Sequence, residues 1–202
     1  MNRSLLNLRV TIPQKYNDRI EFASGVTIFL DTHFNPEEKV ALSGVVTYVP
    51  ANGELAKSGI KKGDTVYFDY RVVSDGDMLP GYGRSHTNEI DINGSKEWFV
   101  GSYHLLGVKD GESIKPFGKY VFAKPTVTAA AFVSSIIIAP DCLKDTVNND
   151  KVNVIAVSDK VETVQNSDTV WIRSDLAQKY NFSGVLNDTT LVISADYIIA
   201  KD

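Results

Sequence analysis

The chain has 202 residues, 43% hydrophobic and 23% charged, with a net charge of -4 and an isoelectric point near 5.4. This composition supplies enough apolar surface for a buried core and excludes disorder on compositional grounds. The acidic balance argues against a surface built for phosphate backbones, so no nucleic acid is expected as a partner.

The single cysteine, Cys142, has no intrachain partner, which excludes a disulfide-stapled scaffold and fits a reducing compartment. The first ten residues contain no apolar run of signal length, and no later stretch approaches the roughly 20 residues of a membrane span. The expectation is a protein without membrane contact, located in the cytoplasm, or in a host cytoplasm or virion if the gene is viral.

Along the chain, short runs of Val, Ile, Thr, Tyr and Phe alternate with Gly, Asn, Asp and Pro, and no apolar pattern of helical period is sustained. The fold class expected is all-β. Strands are predicted over 8–12, 44–49, 65–70, 97–101, 120–123, 151–157, 169–173 and 190–194. Turn signals stand at Asn52-Gly53, Asn93-Gly94, Lys109-Asp110-Gly111 and Asn187-Asp188.

Three segments recur in the same order. Lys61-Lys62-Gly63-Asp64-Thr65-Val66-Tyr67-Phe68 matches Gln165-Asn166-Ser167-Asp168-Thr169-Val170-Trp171-Ile172. Upstream, 43–49 parallels 151–157; downstream, 98–107 parallels 191–200. An ordered triple match predicts two copies of one domain, the first over 5–110 with an inserted loop at 74–88 and the second over 115–202. The polar stretch 109–115 suits a short connector.

Candidate chemistry is sparse. His33, His86 and His104 are scattered, with no cysteine or carboxylate at ligand spacing, so no metal is expected. Nucleophile-elbow, phosphate-loop and dinucleotide signatures are absent, and no cofactor or catalytic residue is assigned. The inserted loop carries Asp75, Asp77, Tyr82, Arg84 and His86, a mixture that suits a solvated contact loop more than acid–base catalysis.

The recurring segments resemble the GroES co-chaperonin family. In the first copy, Ser24-Gly25-Val26-Thr27-Ile28 stands at the family's loop tripeptide, 43–49 at its return strand, and Gly59-Ile60-Lys61-Lys62-Gly63-Asp64-Thr65-Val66-Tyr67-Phe68 at its turn and strand. In the second, Tyr120-Val121-Phe122-Ala123-Lys124-Pro125 resembles the opening strand. Ser134-Ser135-Ile136-Ile137-Ile138-Ala139-Pro140-Asp141 is similar to the family's Gly-Gly-Ile-Val-Leu-Pro-Asp, and Ala195-Asp196-Tyr197-Ile198-Ile199-Ala200-Lys201 to its closing signature. Three features depart from the pattern: Ser134-Ser135 replaces Gly-Gly, Ser167 replaces the turn glycine, and Asp31-Thr32-His33-Phe34-Asn35-Pro36-Glu37-Glu38 directly follows the apolar run of the first copy.

The resemblance implies two tandem GroES-like small β-barrels, a homo-oligomer, and no enzymatic activity. It implies docking on a GroEL-like chaperonin ring through Val26, Ile28 and Leu30 in the first copy and Ile136, Ile137 and Ile138 in the second. On pattern alone, Val26, Ile28 and Leu30 alternating with Thr27 and Phe29 also suit a half-buried strand, and Ile136–Ile138 suit a core strand equally well. The alternative function is a barrel pair reused as a structural component, such as a phage capsid-associated protein.

Overall fold

The structure, a computed structural model, describes residues 6–16, 19–22, 24–29, 40–74, 88–128, 146–180 and 190–202. By backbone contacts the chain divides into two units, Met1–Gly111 and Glu112–Asp202. The first contains β1 (Leu8–Thr11), β2 (Arg19–Glu21), β3 (Thr27–Phe29), β4 (Ser43–Tyr48), β5 (Thr65–Phe68), a single helical turn α1 (Arg71–Ser74), β6 (Glu89–Ile92), β7 (Ser95–Val100) and β8 (Leu105–Asp110). The second contains β9 (Ser113–Pro116), β10 (Tyr120–Thr128), β11 (Thr146–Val157), β12 (Thr169–Ile172), β13 (Gln178–Tyr180), β14 (Thr190–Ser194) and β15 (Ile198–Lys201). The stretch expected as a connector is therefore the end of β8, a turn with Gly111 at φ 60°, and the start of β9.

The protein is mostly β, in two antiparallel sheets with a separate two-stranded β2-β3 hairpin. The larger sheet has the order β6-β7-β1-β4-β5-β8-β9 and the smaller β13-β14-β10-β11-β12-β15. Position for position, six strands of the first match six of the second. Among the described residues both sheets are open, with unpaired terminal strands, so the expected closure into barrels is not seen.

Registers make the match residue-specific. Thr65, Val66 and Tyr67 face Val45, Gly44 and Ser43, as Thr169, Val170 and Trp171 face Asn153, Val152 and Lys151. The opening strand is bulged between Arg9 and Val10 in one unit and between Phe122 and Ala123 in the other. A second bulge falls between Tyr67 and Phe68, and correspondingly between Trp171 and Ile172. Such bulges bend and twist a strand locally, so the two sheets carry the same deformations at the same places.

The turn before β5 repeats to the level of single hydrogen bonds. Gly63 N–H donates to Val46 C=O at 2.8 Å and Val46 N–H to Asp64 C=O at 2.8 Å. Ser167 N–H donates to Val154 C=O at 2.9 Å and Val154 N–H to Asp168 C=O at 2.8 Å. In each turn the aspartate Oδ2 accepts the amide three residues back, Lys61 N–H at 2.8 Å and Gln165 N–H at 2.7 Å, the local bond that makes aspartate a turn former. The third turn residue is left-handed in both, with φ 95° at Gly63 and 72° at Ser167.

Alternation builds the second core: Val121, Ala123, Val152, Val154, Val170, Ile172, Leu191 and Ile193 are at most 2% exposed and form one cluster. Each presents the inward side of a pleat of period two. Val164, immediately before the repeated turn, closes that cluster at 3% exposure, and its counterpart Ile60 is buried as well. In the first unit Leu8, Val10, Val46, Val66, Phe68, Val100 and Leu105 are buried on the corresponding strands. Gly44 answers a close approach there, since a Cβ would lie 2.9 Å from Thr11 C=O.

Candidate functional site

With the cores accounted for, the informative surface is the excursion between the first strand of each sheet and its return strand. In the first unit, the chain leaves β1, makes a bridge between Tyr16 and Val40, and holds Ala41 N–H on Lys15 C=O at 2.9 Å. Between these anchor points lies the β2-β3 hairpin, paired Arg19 to Phe29, Ile20 to Ile28 and Glu21 to Thr27. Its turn is closed by Phe22 N–H on Val26 C=O and Gly25 N–H on Phe22 C=O, both 2.9 Å, with Gly25 at φ 80°.

Opposed residues of an antiparallel pair share a face, so Phe22, Val26 and Ile28 lie on one side of the hairpin and Phe29 on the other. Phe22 is 48%, Val26 54%, Ile28 48% and Phe29 75% exposed. The half-buried strand allowed by alternation is thereby overturned: the strand forms at Thr27–Phe29, but neither face meets a core. A cluster of large apolar groups left in water on both faces of a hairpin is the kind of surface that marks a protein-binding site.

Val26 and Ile28 are thus brought together on an exposed face, and Leu30 lies outside the described residues. Phe22 and Phe29 were not among the sequence-predicted site residues. The signal for Phe29 was its place next to Ile28, which alternation assigns to the opposite, solvent side; an apolar residue on both sides of a strand is the pattern of a two-faced arm.

In the second unit the corresponding excursion begins from a longer ladder. β10 and β11 stay paired through Thr126–Asn148, Val127–Val147 and Thr128–Thr146, and Val127 and Val147 are 59% and 54% exposed. The opposed Val127 and Val147 are thus again apolar and in water. Ile136, Ile137 and Ile138 lie outside the described residues.

The inserted loop is described only at its ends. Ser74 closes α1 fully buried, and Asn88 Nδ2 donates to Val72 C=O at 3.3 Å, tying the returning chain to the helical turn. Asp69, 2% exposed, precedes that turn and accepts Arg71 Nε and Nη2, each at 2.8 Å, plus the Arg71 amide at 2.9 Å. Bidentate arginine and a backbone donor satisfy this carboxylate. The loop residues Asp75, Asp77, Tyr82, Arg84 and His86 lie outside the described residues, as does His33. His104 is buried in the turn before β8.

No group of three or more His, Cys, Asp or Glu capable of holding a metal occurs among the described residues, and no described helix is long and apolar enough to cross a membrane. The perturbed carboxylates are structural. Asp168 is held below the usual carboxylate range by Lys201, at 2.7 Å, and by the Gln165 amide. Asp202 is lowered by Lys151 and by Trp171 Nε1–H, which donates to it at 2.9 Å. Lys201 of β15 thereby bonds Asp168, just before the adjacent β12, and Asp202, just after β15, reaches across β12 to Lys151 of β11.

Compared with protein-family models and with curated proteins, the chain matches none.

Proposed function

We propose that the protein is a co-chaperonin of tandem GroES-like barrel modules, a non-enzymatic cap that docks on a GroEL-like chaperonin ring in the cytoplasm and assists protein folding without a cofactor of its own. The observation that carries this reading is the β2-β3 hairpin, an apolar arm inserted between the first and return strands of its sheet with Phe22, Val26, Ile28 and Phe29 in water. The shared strand order and turn bonding of the two sheets support a duplicated module, and the exposed Val127–Val147 pair supports a second arm at the equivalent place.

Burial of a large apolar side chain contributes about 1.5–3 kcal/mol, so completing the burial of Ile28 and Phe29 is worth about 2–3 kcal/mol per arm. A hairpin that is already paired loses little freedom on docking. Several such arms on one oligomer reach useful avidity while each remains releasable.

The test is co-purification of the full chain with a chaperonin ring in the presence of ATP, wild type against Ile28→Ser/Phe29→Ser and Ile136→Ser/Ile138→Ser. Loss of retention in the first pair supports the hairpin, and loss in the second extends the site to the other arm. A wild-type chain that never co-purifies sinks the reading. The open edges of both sheets favour a second reading, a structural component such as a phage capsid-associated protein. Self-assembly into a lattice without chaperonin retention is its expected signature.

A further inference from the structure

Asparagine precedes glycine at two places in the chain, Asn52-Gly53 and Asn93-Gly94, and precedes another small residue at Asn166-Ser167. Where the next side chain is small or missing, the following backbone nitrogen can attack the asparagine side-chain amide, because nothing crowds its approach. Attack needs that nitrogen free of a hydrogen bond and on the same side of the Cα–C bond as the asparagine Cβ. The three sites differ on these counts.

Asn93 and Gly94 are the two loop residues of the β6-β7 hairpin, closed by the Ile92–Ser95 pair, with φ 53° and 81°. This is the primed turn of a tight hairpin, in which ψ of the first loop residue is about 30°. At that angle the Gly94 nitrogen lies nearly opposite the Asn93 Cβ, and its N–H is held by Asp91 Oδ1 at 2.8 Å. At Asn166 the attacking group would be the Ser167 nitrogen, whose N–H donates to Val154 C=O at 2.9 Å. Asn52 has neither protection. It lies in the bend between β4 and the 3-10 turn Leu55–Lys57, exposed together with Ala51, Gly53 and Glu54, and it is not left-handed. Among the described residues nothing accepts from the Gly53 amide. A Cβ built on Gly53 would meet one atom within 4 Å, Leu6 Cδ2 at 3.3 Å.

We propose that Asn52 is a modification site, where asparagine converts without an enzyme to a mixture of aspartate and isoaspartate, with water as co-reactant. The Gly53 nitrogen gives up its proton to solvent base and bonds to Asn52 Cγ. The bond from Cγ to the side-chain nitrogen then breaks, ammonia leaves, and a cyclic imide remains. Water opens the imide at either carbonyl, so the backbone continues through the original carbonyl or through the side chain. Either product sets a new carboxylate beside Glu54, and the isoaspartyl form also lengthens the backbone just before the turn that seats buried Leu55. The inference does not rest on chaperonin docking, which is read through the β2-β3 hairpin in a separate assay.

The experiment incubates the full-length chain at mildly alkaline pH, folded and in urea. Digestion and mass spectrometry then follow residues 52, 93 and 166, with enzymatic methyl labelling of isoaspartyl groups. In the folded protein, conversion at Asn52 is expected to run at least about tenfold faster than at Asn93 or Asn166. In urea, where the hairpin turn is gone, Asn52 and Asn93 are expected to convert at similar rates. Asn52→Gln, at an exposed position, is expected to keep the melting temperature and to lose the greater part of the isoaspartyl label, and Asn93→Gln to retain it. Equal rates at Asn52 and Asn93 in the folded protein, the same preference for Asn52 in urea, or a label that survives Asn52→Gln overturns the proposal. So does a folded Asn52 that stays intact while the chain in urea converts.

Discussion

Ser167→Gly is expected to stabilise the second unit. Ser167 stands at φ 72° in a turn whose bonds reproduce those around Gly63, at φ 95°. A residue with a Cβ loses about 1–2 kcal/mol in the left-handed region, and glycine gives back about 0.5–1 kcal/mol through its freer unfolded chain. The net gain is about 0.5–1 kcal/mol, or about 2–6 °C in the midpoint of a unit of this size. Each unit contains one tryptophan, Trp98 and Trp171, so Trp98→Phe leaves Trp171 as the fluorescent reporter of the second unit during urea or thermal melts. The reciprocal Gly63→Ser, with no heavy atom within 4 Å of a built Cβ, isolates the backbone term and should destabilise the first unit by about 1 kcal/mol. A Ser167→Gly midpoint that is unchanged or lower refutes the strain assigned to the turn.

Asp168→Ala removes the acceptor of the Gln165 amide and should lower second-unit stability by about 1 kcal/mol in the same melts, with Asp64→Ala matching it in the first unit. Ile193→Ala empties a fully buried position of the second core and should cost about 2–5 kcal/mol, measured by the Trp171 transition. Acid should weaken the second unit through Asp168 and Asp202. Their folded pKa values lie below the unfolded ones, so their stabilisation is complete above about pH 4 and is lost as pH falls through the folded values. Urea midpoints at pH 6 and pH 3 check this, and Asp202→Asn should flatten the dependence.

The duplication was legible because it is written in positions that backbone geometry constrains. Asp64 and Asp168 each hold an amide three residues back, and Thr65-Val66 and Thr169-Val170 enter the same register against the return strand. All eight predicted strands exist. Strands with little apolar content of their own, such as β9 and β13, gave no period to read and exist through their neighbours. The arm was legible as a strand but not as an exposed one. Alternation specifies which residues share a face, whereas burial depends on whether a partner layer meets that face; beside Phe22, Val26, Ile28 and Phe29 none does.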